Sequence, residues 1–214
     1  MVSLCRFHSF NPRLSRSLSL SPFKTNTKLH PLSKYHPFSL SGTMEEIPLG
    51  YRRNVGICLV NASNKQILTA SRLDIPGAWQ MPQGGVDEGE DPRHAAFREL
   101  REETGVTSTE FVAEVPHWLT YDFPPEVKEK LTKFWGEDRK GQAQKWFLLR
   151  FTGQDGEINL SGDGTEIAEF SEWSWMLPHE VIEHVVDFKK PVYEEVLRTL
   201  APYLQSDSTA EAST

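Results

Sequence analysis

The chain has 214 residues, of which 38% are hydrophobic, and its 23 Lys and Arg side chains stand against 30 Asp and Glu, giving a formal net charge of −7. This size and composition predict one globular domain together with some unfolded sequence. They argue against a transmembrane protein, because no run approaches the roughly 18 uninterrupted apolar residues that a bilayer-crossing helix needs. Two cysteines, Cys5 and Cys58, are too few for a disulfide framework or, by themselves, for a four-ligand zinc site.

The first 44 residues differ sharply in composition from the rest. They contain six Lys or Arg, nine serines and no acid, whereas the remainder has 17 basic and 30 acidic residues, a net charge of −13. An acid-free, Ser-rich, Arg-containing segment is typical of an organellar transit peptide. We therefore predict a disordered transit peptide over 1–44, a folded domain over 45–204 and a disordered tail over 205–214. Serine enrichment favours the chloroplast, with the mitochondrion as the alternative; a basic tail without targeting function is the other interpretation of residues 1–44.

The first predicted elements of the folded domain form a hairpin. Residues 54–61 and 66–73 have strand-like composition, and the polar residues 62–65 join them. The Pro and Gly content of residues 74–85 predicts a loop.

A helix with clear boundary signals follows that loop. Asp91 is a suitable N-cap, Pro92 suits the first helical position, and Gly105 suits the end of the helix. The sequence therefore predicts a helix of about 13 residues between Asp91 and Gly105.

The second half of the chain predicts further strands and two helices. The strand candidates are residues 111–115, 117–121, 145–151 and 170–176, and the helix candidates are residues 178–186 and 190–204. A polar segment over 124–140 is either a lid or a surface excursion. Because strands and helices interleave without regular βαβ units, we predict an α/β (α+β) fold with a mixed sheet between helices.

Three acids of the helix after Asp91 stand out. Glu99, Glu102 and Glu103 are spaced i, i+3 and i+4, which places them within an arc of about 100° on one helix face. Like charges at this spacing destabilise a helix, and the last turn disfavours carboxylates, so a positive charge must offset them. Clustered oxygen ligands suit Mg²⁺. The alternative is a solvated helix face that Arg98 and Arg101 neutralise.

The segment around these acids resembles the signature of a known family. Residues 84–106, "GGVDEGEDPRHAAFRELREETGV", meet every fixed position of the Nudix box, namely Gly84, Glu90, Arg98, Glu99, Leu100, Glu102, Glu103, Gly105 and Val106. Nudix proteins hydrolyse nucleoside diphosphates linked to another moiety, on an α/β/α sandwich. The resemblance implies that Glu99, Glu102 and Glu103 bind Mg²⁺ or Mn²⁺, that Arg98 orients the glutamates, and that Glu90 supports the loop.

The resemblance extends over residues 50–204 and narrows the family to one branch. "YRRNVGICLVN", "AWQMPQGG", "GQAQKWFLLRF" and "VVDFKKPVYEEVL" look like the branch that unites bacterial RNA pyrophosphohydrolases with plant asymmetrical diadenosine tetraphosphate hydrolases. This branch implies roles for six further residues. They are Arg52, Arg72, Gln142 and Lys189 as phosphate contacts, Tyr121 as a base-stacking residue, and Glu169 as an additional metal ligand or general base. Taken alone, the three cations could be surface residues and Tyr121 a core residue.

The predicted activity is Mg²⁺-dependent hydrolysis of diadenosine tetraphosphate to ATP and AMP. Removal of pyrophosphate from 5′-triphosphorylated RNA and hydrolysis of guanosine tetraphosphate or pentaphosphate are the alternatives within the same family. Glu102, Glu103, Glu169 and Arg98 are the predicted catalytic residues, and either Glu103 or Glu169 is the general base. A non-catalytic nucleotide or RNA sensor is disfavoured because every expected carboxylate is present, and no membrane association or stable protein partner is predicted.

Overall fold

The structure, a computed structural model, describes residues 47–162, 164 and 167–204. The predictions of a transit peptide over 1–44 and of a disordered tail over 205–214 lie outside these residues and stay predictions.

The centre of the fold is one mixed sheet built around strand β1. The described residues form the strands β1 (Tyr51–Val60), β2 (Ile67–Arg72), β3 (Trp79–Gln80), β4 (Gln83–Gly85), β5 (Thr109–Glu114), β6 (Leu119–Asp122), β7 (Gly141–Phe151) and β8 (Phe170–Met176). Strand β1 runs parallel to β7 along its whole length and antiparallel to β2 and β4. Strand β7 also pairs with β5 and β6, and β2 pairs with β3 and β8, all antiparallel.

Helices cover both faces of this sheet. In the described part of the chain they are α1 (Pro92–Thr104), α2 (Pro125–Trp135), α3 (Pro178–His184) and α4 (Lys190–Leu204). Side chains alternate along β1, so that Ile57 and Leu59 pack with α1 while Cys58 and Val60 pack with the cluster that α2, α3 and α4 share. The predicted α/β/α sandwich with a mixed sheet is therefore confirmed. Within residues 47–204 no helix combines the length and apolarity needed to cross a membrane.

Helix α1 has the boundaries that its sequence predicts. The Asp91 side chain accepts hydrogen bonds from the backbone N–H groups of Arg93 and His94, at 3.0 and 3.2 Å. Gly105 adopts the left-handed conformation (φ 70°), and its N–H donates to the carbonyl of Arg101. These two caps fix where the acidic face of the helix begins and ends.

Two segments differ from the sequence prediction. Strands β3 and β4 lie within residues 74–85, which were predicted to be a loop, and helix α2 lies within the polar segment 124–140. Val127 and Leu131 are one helical turn apart and both contact the core, so that α2 is held by a narrow apolar stripe.

Candidate active site

The three acids of α1 face the interior of the protein. Glu99 is 1% exposed, Glu102 is 8% exposed and Glu103 is 2% exposed. A carboxylate is rarely buried to this extent unless it is paired or binds a metal. The solvated helix face that the sequence allowed as an alternative is therefore wrong.

Arg98 lies at the centre of this acidic cluster. Its Nε and Nη2 donate to the two carboxylate oxygens of Glu90 at 2.9 and 2.7 Å, in a bidentate arrangement. Its Nη1 donates to Glu99 at 2.7 Å and to Glu102 at 3.2 Å, and Nη2 also donates to the carbonyl of Gly85 at 2.9 Å. Arg98 thereby ties the loop that carries Glu90 and Gly85 to the acidic face of α1.

The charge of Arg98 is secured by these same contacts. The hydrogen bonds to Glu90 and the negative charges of Glu99 and Glu102 raise the pKa of the Arg98 guanidinium above its ordinary value. The guanidinium therefore stays protonated wherever the fold persists.

Gly84 allows the loop to lie directly against α1. A Cβ atom at this position would overlap the carboxyl group of Glu99. The backbone of β4 and the Glu99 carboxylate can therefore approach each other only because residue 84 has no side chain.

The short connection between β3 and β4 is held from both helical layers. Met81 N–H donates to the hydroxyl of Tyr193 on α4 at 3.2 Å, and Gln83 N–H donates to Glu103 Oε2 on α1 at 3.0 Å. Burial raises the pKa of Tyr193 well above its ordinary value, so the hydroxyl remains neutral. The backbone N–H of Gln83 thus orients Glu103, and the same short connection is anchored to α4 through Met81.

A network of buried amide side chains continues from Gln83 across the sheet. Gln144 Nε2 lies 3.0 Å from Asn54 Oδ1, 3.3 Å from Gln83 Oε1 and 3.2 Å from Gln142 Oε1. Tyr121 donates its hydroxyl to Gln142 Oε1 at 2.7 Å. The network connects the neighbourhood of Glu103 with the far edge of the sheet.

That network ends at a narrow, mainly apolar cavity of about 60 Å³. Tyr121 and Phe188 contribute aromatic walls, with their ring centroids 5.7 Å apart. Lys189 Nζ lies 5.7 Å from the Tyr121 ring centroid and donates to Gln83 Oε1 at 3.1 Å. The structure thus brings Tyr121, Gln142 and Lys189 together at one cavity, and their roles in substrate binding stay predictions.

Two other predicted residues, Arg72 and Glu169, form an ion pair at the same cavity. Arg72 Nη1 donates to Glu169 Oε2 at 3.1 Å, and Arg72 Nε donates to Asp74 Oδ1 at 2.6 Å. All three side chains are nearly inaccessible, at 6%, 6% and 3% exposure. A phosphate contact by Arg72 and a metal-binding or base role for Glu169 stay predictions, and each must operate alongside this ion pair.

Arg52 and Arg53 lie elsewhere, at a second cavity of about 540 Å³ beside the loop that follows β4. A Cβ atom at Gly85 would overlap the guanidinium of Arg52, which places that group beside the segment bound by Arg98. The Arg53 guanidinium stacks on Trp118, 5.5 Å from the ring centroid. The structure therefore separates the predicted cations into two groups.

The acidic cluster suits a divalent cation by its chemistry. Within the part of the chain that the structure describes, no three acidic, imidazole or thiol groups converge on one point as they stand. The donors of α1 are nevertheless three buried carboxylates, two of which, Glu99 and Glu102, are ion-paired with Arg98. Oxygen-only donors and an excess of buried negative charge are what Mg²⁺ and Mn²⁺ require.

Several residues of the site were missed from the sequence. They are Asn54, Asp74, Gln80, Gln83, Gln144 and Phe188. One available signal was the pair Gln142 and Gln144, since two amides on one face of the apolar strand β7 indicate a polar site.

Comparison with known proteins identifies the family of this chain and several relatives. A family model described as NUDIX domain matches residues 50–198. Nudix hydrolase 26, chloroplastic, of Arabidopsis thaliana is 69% identical over 163 residues, which are 76% of this chain and 75% of the relative. An RNA pyrophosphohydrolase of Cereibacter sphaeroides is 50% identical over 165 residues, 76% of this chain and 98% of the relative.

A solved structure supports the fold, and the plant relative supports the location. An Ap4A hydrolase of C. elegans superposes with a TM-score of 0.52 at 21% identity, covering 71% of this chain and 98% of that one. The name of the plant relative confirms the predicted chloroplast localisation. Together the two sequence relatives match the branch that the sequence predicted.

Proposed function

The chain belongs to the Nudix hydrolase family, and we propose that it hydrolyses dinucleoside polyphosphates, with diadenosine tetraphosphate split into ATP and AMP. The observation that carries the proposal is a continuous polar path. It runs from the acids of α1 through Gln83 to a cavity walled by Tyr121 and Phe188. A substrate that combines a polyphosphate with a nucleoside has the two kinds of surface that this path offers.

The acidic cluster is proposed to hold the divalent ions. Glu99, Glu102 and Glu103 supply the carboxylates, and bound Mg²⁺ supplies charge neutralisation of the phosphoryl oxygens and a more acidic water. Arg98 keeps Glu99 and Glu102 oriented for this purpose.

Glu103 is the proposed general base. Its carboxylate belongs to the cluster proposed to hold the divalent ions and accepts a hydrogen bond from the N–H of Gln83, whereas Glu169 accepts one from Arg72, which lines the cavity that contains Tyr121. A general base must lie within reach of the attacking water, so a member of the cluster proposed to bind the metal is the better candidate to accept its proton. Glu169 is then assigned to positioning Arg72.

The nucleoside is proposed to bind in the aromatic cavity. Tyr121 and Phe188 offer ring surfaces on which a base can stack, and the ammonium of Lys189 lies between those rings and Gln83. Lys189 and Gln142, which line the same cavity, are proposed to contact the phosphate nearest the nucleoside. Arg52 is proposed to contact phosphates at the other end of the acidic cluster, beside Gly85.

A second candidate function is removal of pyrophosphate from 5′-triphosphorylated RNA. This chain is 50% identical to the bacterial relative named for this activity, and the match covers 98% of that relative. The first nucleotide of an RNA presents the same combination of base and polyphosphate as a dinucleoside substrate. The chloroplast location applies to either activity.

Competitive kinetics on the full chain separate the candidates. Diadenosine tetraphosphate, 5′-triphosphorylated RNA and guanosine tetraphosphate are supplied with Mg²⁺, and products are identified in ¹⁸O water. We expect the highest kcat/KM for diadenosine tetraphosphate, with ATP and AMP as the only products. A higher kcat/KM for the RNA would replace this proposal by the second candidate.

Paired glutamine substitutions test the assignment of the base. Glu103→Gln should lower kcat by at least about a hundredfold, the smaller end of what a general base contributes. Glu169→Gln should cost less, and Glu110→Gln on the exposed edge of β5 serves as the matched control. A larger loss in Glu169→Gln than in Glu103→Gln would reverse the two roles.

A further inference from the structure

The side-chain amide of Gln80 has only one orientation that fits its surroundings. Gln80 lies on β3, is 3% exposed, and its Oε1 accepts a hydrogen bond from Lys189 Nζ at 3.0 Å. An ammonium group can only donate, so the oxygen rather than the nitrogen of this amide must face Lys189. Lys189 is itself only 7% exposed and also donates to Gln83, which keeps its ammonium group in place.

The other end of the amide is a buried donor. Gln80 Nε2 is inaccessible to solvent, and no acceptor among the described residues lies within hydrogen-bonding distance of it. Gln80 belongs to the lining of the cavity that contains Tyr121 and Phe188. Because buried donors without an acceptor are destabilising and therefore rare, this one indicates a partner that arrives with a ligand.

The chemistry of the cavity indicates which ligand atom this is. The aromatic walls suit a flat heterocycle, and the neighbouring ammonium of Lys189 is the better partner for an anionic oxygen. A neutral amide donor in an apolar cavity suits a neutral acceptor in the plane of the base. Purine bases present such acceptors as ring nitrogens.

We propose that Gln80 Nε2 donates a hydrogen bond to a ring nitrogen of the purine and thereby determines which bases the enzyme accepts. This inference rests on the proposed function, because it requires a nucleoside polyphosphate in the cavity. Lys189 acts twice, since it fixes the orientation of the amide and lies next to the phosphate path. Sequence alone did not identify Gln80, although it lies within "AWQMPQGG".

Base analogues in the substrate test the hydrogen bond on the full wild-type chain. The probes are diadenosine tetraphosphate and three symmetrical analogues in which both bases are 1-deaza-, 3-deaza- or 7-deazaadenine. We expect one analogue to lose about tenfold in kcat/KM, the loss typical of one hydrogen bond, while the other two stay close to the parent compound.

A substitution then connects that loss to Gln80. Gln80→Glu keeps an oxygen for Lys189 but removes the donor, so kcat/KM for the parent compound should fall by about tenfold or more. The analogue that is sensitive in the wild type should show no additional loss in this variant. Gln154→Glu, the same exchange at an exposed loop position, should retain the wild-type pattern.

The outcomes separate this inference from the proposed function. If the wild type hydrolyses all three analogues as efficiently as the parent compound, the role of Gln80 is refuted while the proposed function stands. The role of Gln80 is also refuted if Gln80→Glu discriminates between the parent compound and the sensitive analogue as strongly as the wild type does. If no compound of the series is hydrolysed, the proposed function fails and this inference fails with it.

Discussion

Replacement of Arg98 by methionine isolates the contribution of the guanidinium to the acidic cluster. Methionine keeps the helix propensity and much of the side-chain volume but removes the charge and every donor. Of the partners that remain, Glu99 is 1% exposed and Glu102 has a side-chain exposure of 7%. Removing one partner of a buried ion pair costs about 3–5 kcal/mol.

For a domain of this size each kcal/mol lowers the melting temperature by about 2–4 °C, so Arg98→Met should melt roughly 6–20 °C below the wild type in EDTA. The matched control is Arg198→Met on α4, where the arginine side chain is 73% exposed and its solvent-screened ion pair contributes little to stability. Mg²⁺ should raise the melting temperature of Arg98→Met more than that of the wild type, since the cluster of this variant has lost the positive charge of Arg98. The reasoning is refuted if Arg98→Met melts with the control, or if Mg²⁺ stabilises both proteins equally.

Three further predictions concern other parts of the chain. Hydrogen bonds from the backbone N–H groups of Thr107 and Ser108 lower the pKa of Glu157, so Glu157→Gln should destabilise the protein by up to about 1 kcal/mol at pH 7. Urea titrations should show that this difference disappears as the pH falls below 4 and Glu157 becomes protonated. Burial raises the pKa of the Cys58 thiol to about 12, so in a Cys5→Ser background a disulfide reagent at pH 8 should react only after unfolding; rapid reaction of the native protein would contradict the burial. Tyr121→Ala should raise KM for the nucleotide about tenfold or more through lost stacking, whereas Tyr121→Phe should leave KM within about threefold; equal effects of both would exclude stacking.

Local signals explain why helix α1 could be predicted from end to end. Asp91, Pro92 and Gly105 act on the backbone within a few residues of themselves, so their effect does not depend on the remainder of the fold. The spacing of the acids on the same helix is equally local. The burial of those acids is not, because it depends on the approach of β4, which the sequence predicted to be a loop.

Strand β4 and helix α2 were not predicted because long-range contacts stabilise them. β4 has the sequence Gln-Gly-Gly and exists only through its pairing with β1, in which Asn54 opposes Gly85. α2 has a strongly charged sequence, and its apolar contacts with the core rest mainly on Val127 and Leu131. Its terminal signals, Pro125 and Gly136, lie within the segment that the sequence predicted to be either a lid or a surface excursion.

The same distinction applies within the site. The resemblance assigned Tyr121, Gln142 and Lys189 to substrate binding, which stays a prediction, and the structure places all three around one cavity. It did not indicate that Arg72 and Glu169, which are 97 positions apart, are bound to each other. Such a pair is visible only once β2 and the segment preceding β8 lie side by side.

The small volume of the aromatic cavity has a kinetic consequence. Ligand sites usually offer about 300–1,000 Å³, whereas this cavity measures about 60 Å³, so we expect that one wall moves outward when a base binds. Helix α2 is the wall best suited to move, because Val127 and Leu131 contact the cavity while Phe134, near its C-terminal end, is 52% exposed. If this helix gates substrate entry and product departure, catalysis at saturation should depend on solvent viscosity as well as on the cleavage of the anhydride.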